Sequence, residues 1–421
     1  MIKRPRIAAL AAIAALAATL AACGSDGGSS SAAAPALTDA NLSGALAYVG
    51  AKAGPADNSL SPISIGWVNQ EGGATSLPEA TSGFNAAVKL VNEHLGGVNG
   101  HPLEVVSCTV ASTEEQGLTC AQKMRNTEGI SIVLTGSAGP AGAPLHQLLA
   151  DSVPILGGVP ASAEDTTAKN AFYTTAGPLG QPAIVNYLTG DIKAKKIAFI
   201  APDNPYNTSA YGQIKSAAEK AGATVTAGIY QPGSADLSSA VLASQALKAD
   251  AILLEENSTS GCATVAQALQ QYGVKAPVVS LSGCIDPSVK AALGDLPKWT
   301  YALTTLMPAA NVDPPSDETK AYLAAMSAYE PKSTVFGTAA TTFGNLLFAV
   351  KSMNKIGAAG LDAKSISQAL ATSQGPVFMA APTLKFDAAS AAPAVGSSAW
   401  VFYDYKGQDE WTAAAGGKWV S

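Results

Sequence analysis

The stretch ISIGWVNQEGGATSLPEATSGFNAAVKLVNEHL, residues 63–95, joins a short β-rich run to an amphipathic helical pattern. Its first six residues, 63–68, are mostly β-branched or aromatic and predict a strand. Apolar residues then recur at helical spacing, at Phe84, Ala87, Val88, Val91 and Leu95. This spacing predicts a helix with one face packed on a sheet. A strand followed by such a helix is the repeating unit of α/β folds.

The same alternation of strand and helix signals continues along the chain in two series. The first series predicts further strands at 103–106, 130–134 and 153–156. The second predicts strands at 196–200, 224–229, 251–254, 277–281 and 300–306, with helical segments between most of them. Near-continuous apolar strands separated by helices are typical of parallel sheets covered on both faces. The sequence therefore predicts an α/β protein with two lobes.

The amino-terminal segment has the pattern of an export signal. Lys3, Arg4 and Arg6 precede an uncharged apolar run, and Leu20-Ala21-Ala22-Cys23 resembles the bacterial lipobox, whose cysteine receives a diacylglycerol. We expect a lipoprotein signal peptide over 1–22 and a lipidated Cys23, because acyl chains anchor a protein to a bilayer. An ordinary signal peptide with an incidental cysteine is the alternative. Residues 23–60, rich in Gly, Ser, Ala and Pro, predict a flexible tether with a short helix near 42–49.

Charge and hydropathy limit the partners of the chain. The 421 residues contain 25 basic and 31 acidic residues, and three of the basic ones lie in the leader, so the rest carries about −9. An acidic chain is a poor partner for nucleic acid or anionic lipids. No second apolar run is long enough to span a membrane. We expect an exported protein, at the outer face of the cell membrane or in the periplasm, that meets the membrane through its lipid anchor only.

Four cysteines remain after Cys23, namely Cys108, Cys120, Cys262 and Cys284. An even number in an exported chain indicates two disulfides, for which three pairings are possible. We favour the local pairs, 108–120 and 262–284. A metal site is the rival interpretation, but these spacings match no zinc pattern and the three histidines lie far from them in sequence.

The loops that follow the predicted strands are candidates for ligand contact. In open α/β sheets, right-handed crossovers place these loops on one edge, where ligands bind. They are rich in hydroxyls, amides and glycine, and they comprise residues 69–73, 136–139, 158–163, 203–206, 255–258 and 282–284. Each loop alone could also consist of ordinary turn residues.

Four segments resemble one family in order along the chain. They are ISIGWVNQEGG (63–73), GFNAAVKLVNEHLGGVNGHPLEVV (83–106), KKIAFIAPDNPYN (195–207) and APVVSLSGCIDPSVKAALGD (276–295). They are similar to the type I periplasmic binding proteins of ABC importers, in the leucine/isoleucine/valine-binding branch. The resemblance implies two Rossmann-like lobes with doubly wound parallel sheets, joined by a three-crossover hinge. It also implies a ligand in the interlobe cleft that a monomer presents to ABC permease and ATPase subunits.

The lobe boundaries follow from this resemblance. Lobe 1 is expected to comprise residues 61–177 plus about 307–375, and lobe 2 residues 178–306 plus about 376–421. Family members bind through the strand-end loops, which makes these residues the expected ligand contacts: Asn69, Gln70, Glu71, Ser137, Gly139, Ser162, Tyr206, Glu256, Ser282 and Phe336. Relatives that bind amino acids often carry a carboxylate where Ser282 stands. Glu256, Glu255 or Glu71 could supply that charge, and a solvated surface acid is the alternative for Glu256.

Catalysis finds no support in the motifs. The sequence has no G-x-S-x-G elbow, P-loop or HExxH segment, and we expect neither an enzyme nor a cofactor or metal. A ligand-sensing lipoprotein that reports to a membrane signalling partner is the alternative function. Arg125 is the single arginine after the leader, and the strand-end loops contain no lysine. We therefore expect a neutral, zwitterionic or cationic ligand, first of all an amino acid or an amide-like compound.

Overall fold

The computed structural model describes residues 35–72, 76–111, 113–256, 258–313 and 315–421. The predicted signal peptide and the lipidation site Cys23 lie outside the described residues. Within those ranges, no helix combines the length and the apolar character that crossing a bilayer requires.

The strands are β1 (Ile63–Gln70), β2 (Leu103–Val110), β3 (Ile130–Thr135), β4 (Ile155–Gly157), β5 (Ala171–Tyr173), β6 (Lys196–Pro202), β7 (Thr224–Tyr230), β8 (Ala251–Leu254), β9 (Val278–Leu281), β10 (Thr300–Leu303), β11 (Val312–Asp313), β12 (Val401–Gly407) and β13 (Glu410–Ala413). The helices are α1 (Asp39–Val49), α2 (Pro78–His94), α3 (Glu114–Asn126), α4 (Gly142–Leu149), α5 (Ala163–Thr167), α6 (Gln181–Gly190), α7 (Pro205–Lys220), α8 (Ser238–Ala243), α9 (Thr259–Gln271), α10 (Pro287–Leu293), α11 (Asp317–Tyr329), α12 (Thr338–Ile356) and α13 (Ala363–Ala371).

Lobe 1 contains a five-stranded parallel sheet in the order β2-β1-β3-β4-β5. Helices α1, α2, α11, α12 and α13 cover one face, and α3 and α4 cover the other. Every strand predicted in this lobe is present, and β5 is an additional strand of only three residues. Such a short run carries too little periodicity to be recognised from sequence.

The strand–helix unit of residues 63–95 lies at the centre of this lobe. Trp67 of β1 stacks on Phe84 of α2, with ring centroids 4.1 Å apart. Burial of an aromatic side chain of this size stabilises the fold by about 2–3 kcal/mol. Gly83 lets α2 approach α12, because a Cβ atom at this position would lie 2.1 Å from the carbonyl oxygen of Ala339.

Lobe 2 contains an eight-stranded sheet in the order β11-β13-β12-β10-β9-β8-β6-β7. The strands from β6 to β10 are parallel, whereas β12 and β13 form an antiparallel hairpin beside β10. Alternate strand residues point to opposite faces, one covered by α8, α9 and α10 and the other by α6 and α7. The hairpin is not predicted from the sequence.

The structure differs from the sequence-based boundaries in three places. Helix α1, expected within a flexible tether, buries Leu42, Ala45 and Val49 in the core of lobe 1. Because α1 has apolar residues at helical spacing, burial of one face stabilises it, and a segment of Gly and Ser alone would not gain this stabilisation. The chain crosses between the lobes for the last time near residue 397 and not near residue 376, because residues 377–379 and Leu384 are also buried in lobe 1. The second crossing comes after β11 and not near residue 307, because β11 belongs to the lobe 2 sheet.

Both expected disulfide pairings are confirmed. Cys108 of β2 is bonded to Cys120 of α3, and Cys262 of α9 is bonded to Cys284 in the turn after β9. The second disulfide joins the first turn of α9, which follows the loop 255–258, to the strand-end loop 282–284.

Candidate ligand-binding site

A cavity of about 100 Å³ lies between the lobes, beyond the carboxyl ends of the strands. This is the edge at which open α/β sheets bind ligands. Both lobes and the connecting segments line it, through Val159, Thr175, Gly177, Tyr206, Leu281, Ser282, Thr304, Gly337, Thr338, Thr341 and Trp400. A second depression, of about 320 Å³, lies against α6 and α7 at Asn186, Gln213 and Lys220, away from the strand ends.

The cavity wall is uncharged and rich in hydroxyl groups. Among the described residues that line it there is no Asp, Glu, Lys or Arg, while four threonines and one serine contribute hydroxyls. Tyr206 and Trp400 add aromatic surface. The wall can therefore donate and accept hydrogen bonds and pack against apolar groups, but it offers no fixed charge to an anion.

Two of the expected ligand contacts lie in the cavity wall. Tyr206 stands in the first turn of α7, whose N-cap Asn204 accepts a hydrogen bond from the backbone N–H of Asn207 at 2.8 Å. Ser282 begins the turn after β9 that the Cys262–Cys284 disulfide holds. The carboxyl-end rule thus places both residues correctly at the edge of lobe 2.

Phe336 lies beside the cavity rather than in its wall. Its ring packs against the core of lobe 2, although the chain that carries it leads into α12 of lobe 1. The two residues that follow it, Gly337 and Thr338, do line the cavity. Phe336 therefore fixes the segment that brings these two residues to the site.

The first strand-end loop of lobe 1 is held by its own side chains. The amide of Asn69 donates to the carbonyl of Leu77 at 2.7 Å and to the Thr81 hydroxyl at 3.1 Å. Its oxygen accepts the backbone N–H of Ser137 at 3.2 Å. The Thr81 hydroxyl also donates to the carboxylate of Glu71. Asn69, Glu71 and Ser137 thus lie together, and their hydrogen bonds join the loop after β1 to the loop after β3. None of the three lines the cavity.

Gln70, Gly139 and Ser162 also lie outside the cavity wall. Gly139 lies against the side chain of Gln70, since a Cβ atom at this position would be 2.8 Å from the Gln70 Oε1 atom. Ser162 is the N-cap of α5, and its hydroxyl accepts the backbone N–H of Asp165 at 3.1 Å. The Asp165 carboxylate in turn contacts His146 at 2.8 Å, which fixes this loop from behind.

The adjacent acids Glu255 and Glu256 lie on opposite faces of the lobe 2 sheet. Glu256 is 3% exposed, and its carboxylate accepts the hydroxyl of Tyr230 and the backbone N–H of Ser258, the latter at 2.7 Å. It is not part of the cavity wall. A ligand charge that paired with Glu256 would therefore have to share its carboxylate with Tyr230 and Ser258.

Glu255 is fully buried, and neither of its carboxylate oxygens has a hydrogen-bond partner. Burial raises the pKa of this carboxyl to about 8, and the nearby amide of Gln181 opposes the rise. Burial also raises the pKa of the Tyr206 hydroxyl, and the charge of Glu255 raises it further. Glu255 is one of several acids that the sequence offers for a ligand charge, and the alternation of β8 assigns it to the face of Leu253, under α6 and α7.

Several cavity residues were not expected from the sequence. Thr175 and Gly177 follow the short strand β5, Thr304 directly follows β10, and Trp400 precedes β12, and the chain passes between the lobes near all four. Their contribution depends on the crossing geometry of three distant segments, for which no local motif exists.

An acidic group lies near the cavity on the lobe 1 side. The Glu79 carboxylate accepts a hydrogen bond from the hydroxyl of Thr338 at 2.9 Å. Burial raises the pKa of Glu79, and the charges of Asp286 and Glu71 raise it further. Because Asp286 belongs to lobe 2, carboxylates of both lobes face this side of the cleft. Arg125 is bonded to the carbonyl of Leu148 and does not offset them.

Comparison with known proteins agrees with this architecture. The sequence model of the family described as "Periplasmic binding protein" matches residues 62–406. No curated protein sequence matches the chain.

Three similar solved structures share the fold. The leucine-binding protein LivK of Thermotoga maritima is 14% identical with a TM-score of 0.66, and the alignment covers 85% of this chain and 99% of LivK. LivJ of Streptococcus pneumoniae, solved with isoleucine, is 17% identical with a TM-score of 0.63, covering 84% and 99%. A fatty acid ABC transporter substrate-binding protein of Thermomonospora curvata is 18% identical with a TM-score of 0.66, covering 87% and 94%.

Proposed function

Because the chain belongs to the periplasmic binding protein family, we propose that it captures a small polar molecule between its lobes and delivers it to an ABC permease. The observation that carries this proposal is the uncharged, hydroxyl-lined cavity at the carboxyl ends of both sheets. The protein acts as a binding component and not as an enzyme.

The wall chemistry favours an amino-acid-like or amide-like ligand. Hydroxyls from Thr175, Thr338 and Ser282 can bond amide, carboxylate or ammonium groups, and Tyr206 and Trp400 can pack on an apolar portion. A phosphate ester or a dicarboxylate would lose its hydration without meeting a cation, at a cost of several kcal/mol per ion. Such ligands are therefore disfavoured.

The protein binds its ligand outside the cytoplasm while a lipid anchor holds it at the membrane. In this proposal, export removes residues 1–22, Cys23 carries the lipid anchor, and the monomer stays at the outer face of the membrane or in the periplasm. The anchor keeps the captured molecule close to the permease, because tethering raises the effective concentration of the two partners.

A thermal-shift screen followed by calorimetry tests the proposal. The mature protein is tested against amino acids, amides, polyamines, aromatic acids and fatty acids. A compound at a hundred times its Kd should stabilise the protein by about 2.7 kcal/mol, with one molecule bound per chain.

Two variants test the place of binding. Ser282→Leu puts a larger side chain into the cavity wall and should abolish binding. Lys220→Ala, at the depression against α6 and α7, is the control and should bind as the wild type does. Failure of every compound, or binding that survives Ser282→Leu and is lost in Lys220→Ala, would contradict the proposal.

A further inference from the structure

Six exposed lysines lie along one edge of lobe 2, at the amino ends of its parallel strands. They are Lys193, Lys195 and Lys196 around the start of β6, Lys220 at the end of α7, Lys248 before β8 and Lys275 before β9. The backbone N–H of Thr224, the first residue of β7, donates to the carbonyl of Lys195 at 2.8 Å. The backbone N–H of Asp250 donates to the carbonyl of Lys196, also at 2.8 Å, so the starts of β6, β7 and β8 are adjacent. We call this surface the basic edge.

The positive charge of the basic edge is only partly offset. Three acids lie along it, namely Asp191, Glu219 and Asp250. The Asp250 carboxylate accepts the backbone N–H groups of Lys195 and Lys196, at 2.9 and 2.8 Å, instead of pairing with an ammonium group. Across the residues that the structure describes, none of the six lysines takes part in an ion pair. Their ammonium groups are therefore available to an anion outside the protein.

Two leucines are exposed beside these lysines. Leu242, near the carboxyl end of α8, is 53% exposed, and Leu247, next to Lys248, is 52% exposed. They are the most exposed large apolar side chains in the described part of the chain. Because α8 leads back to the start of β8, both leucines lie at the same edge of the sheet as the lysines. Apolar side chains exposed together inside a charged border are typical of a contact surface.

Lysines and leucines together fit the surface of an anionic bilayer. Phosphate head groups attract ammonium groups, and apolar side chains enter the boundary between head groups and acyl chains. A soluble acidic polymer would account for the lysines but not for the leucines. The net charge of about −9 does not oppose the contact, because charges farther away than about 8 Å are largely screened at physiological ionic strength. A sum of charges over the sequence does not show where on the surface they lie.

We propose that the basic edge of lobe 2 rests on anionic lipid head groups at the outer face of the cell membrane, with Leu242 and Leu247 in the bilayer interface. The edge lies at the amino ends of the strands, opposite the cavity, so the contact leaves the ligand-binding site free. The lipid anchor expected at Cys23 is then not the only contact with the membrane. An acyl anchor and a basic patch together hold a protein more firmly than either alone. The proposal does not depend on which ligand the cavity binds.

Vesicle sedimentation with the full mature chain carrying Cys23→Ser separates this contact from the anchor. The protein should bind vesicles made of equal parts of phosphatidylglycerol and phosphatidylcholine, and it should bind vesicles of phosphatidylcholine alone far more weakly. Because salt screens the lysine charges, binding should be strongest at about 0.05 M NaCl and should weaken severalfold at about 0.5 M.

Lysine variants locate the contact. A lysine near an anionic surface strengthens binding by about fivefold, so Lys195→Gln with Lys196→Gln should weaken vesicle binding by at least about tenfold. Lys332→Gln with Lys364→Gln removes the same charge from exposed positions of lobe 1 and should leave binding unchanged. Thermal melting of each variant checks that it folds as the wild type does.

Leucine variants distinguish a bilayer from a soluble acidic polymer. Leu242→Asn with Leu247→Asn should weaken vesicle binding by about tenfold, because two half-exposed apolar side chains no longer enter the interface. Leu60→Asn with Leu118→Asn, at exposed apolar positions of lobe 1, is the matched control and should bind as the wild type does.

The outcomes decide the proposal as follows. Binding that needs both the lysines and the leucines of the basic edge supports it. Failure to bind phosphatidylglycerol vesicles, or binding that survives Lys195→Gln with Lys196→Gln, would overturn it. Equal loss in the lobe 1 lysine control would also overturn it, because any positive charge would then serve. Binding that depends on the lysines but not on the leucines, and that poly-L-glutamate reproduces, would assign the basic edge to an acidic polymer instead.

Discussion

Replacing Glu255 by glutamine should change how the stability of the unliganded protein depends on pH. The folded protein keeps the Glu255 proton up to about pH 8, whereas the unfolded chain releases it near the ordinary value of 4.5. Ionisation of this carboxyl therefore favours unfolding. Its contribution to stability is complete below the unfolded value and is lost as the pH rises towards 8.

The expected magnitude follows from these two pKa values. One pH unit between them corresponds to about 1.4 kcal/mol, so the wild type should lose about 4 kcal/mol from this group between about pH 5 and about pH 9. Glutamine does not ionise, so the unfolding free energy of Glu255→Gln should not show this loss. The buried amide of glutamine has a cost of its own, but that cost does not vary with pH.

Urea unfolding at a series of pH values measures the effect. The difference in unfolding free energy between Glu255→Gln and wild type should grow in favour of the variant as the pH rises, because only the wild type must bury a charge. Glu219→Gln, with the same change at an exposed site, should run parallel to wild type. A constant difference between Glu255→Gln and wild type across the pH range would refute the assignment of a protonated, unpaired carboxyl at this position.

Three further predictions concern the anchor, the disulfides and the lobes. Cys23→Ser should abolish palmitate labelling and release the protein from the membrane fraction, and unchanged labelling would refute the anchor. Replacing both cysteines of either disulfide by serine should lower the unfolding free energy by about 3 kcal/mol, and the Cys262/Cys284 pair should also weaken ligand binding because it holds Ser282. A ligand that bridges the lobes should reduce the radius of gyration in solution scattering, and an unchanged profile with a tight ligand would argue against closure.

The parts of the fold that the sequence predicts are those encoded by local periodicity. The strand at 63–68 and the helix stripe from Phe84 to Leu95 appear in the structure as β1 and α2, and residues 251–254 form β8 as expected. Strands β1 and β8 are covered on both faces of a parallel sheet, and α2 packs one apolar face on the lobe 1 sheet, so the apolar pattern of each segment is strong. The sequence predicts helix α1 only as a short helix near 42–49 within a flexible tether. Its stability comes from contacts with α11 and α12, which are more than 250 residues away.

The candidate site likewise contains some residues that local sequence patterns predict and others that they do not. Tyr206 and Ser282 were placed from the carboxyl-end rule, since that rule needs only the ends of strands. Thr175 and Trp400 could not be found, because their positions depend on where the chain crosses between the lobes. Thr304 was missed because the strand predicted at 300–306 runs past the end of β10 at Leu303. Glu255 and Glu256 are neighbours in sequence, and only the sheet pairing and the covering helices show which one is already bonded. Local patterns thus determine the edge of the sheet, while the contents of the cavity depend on tertiary packing.

A crystal structure of the mature protein with the tightest ligand from the screen tests the central claim most directly. We expect one molecule between the lobes, in contact with Tyr206, Ser282 and Thr338. A ligand bound instead at the depression formed by Asn186, Gln213 and Lys220, or on the surface of one lobe alone, would contradict it.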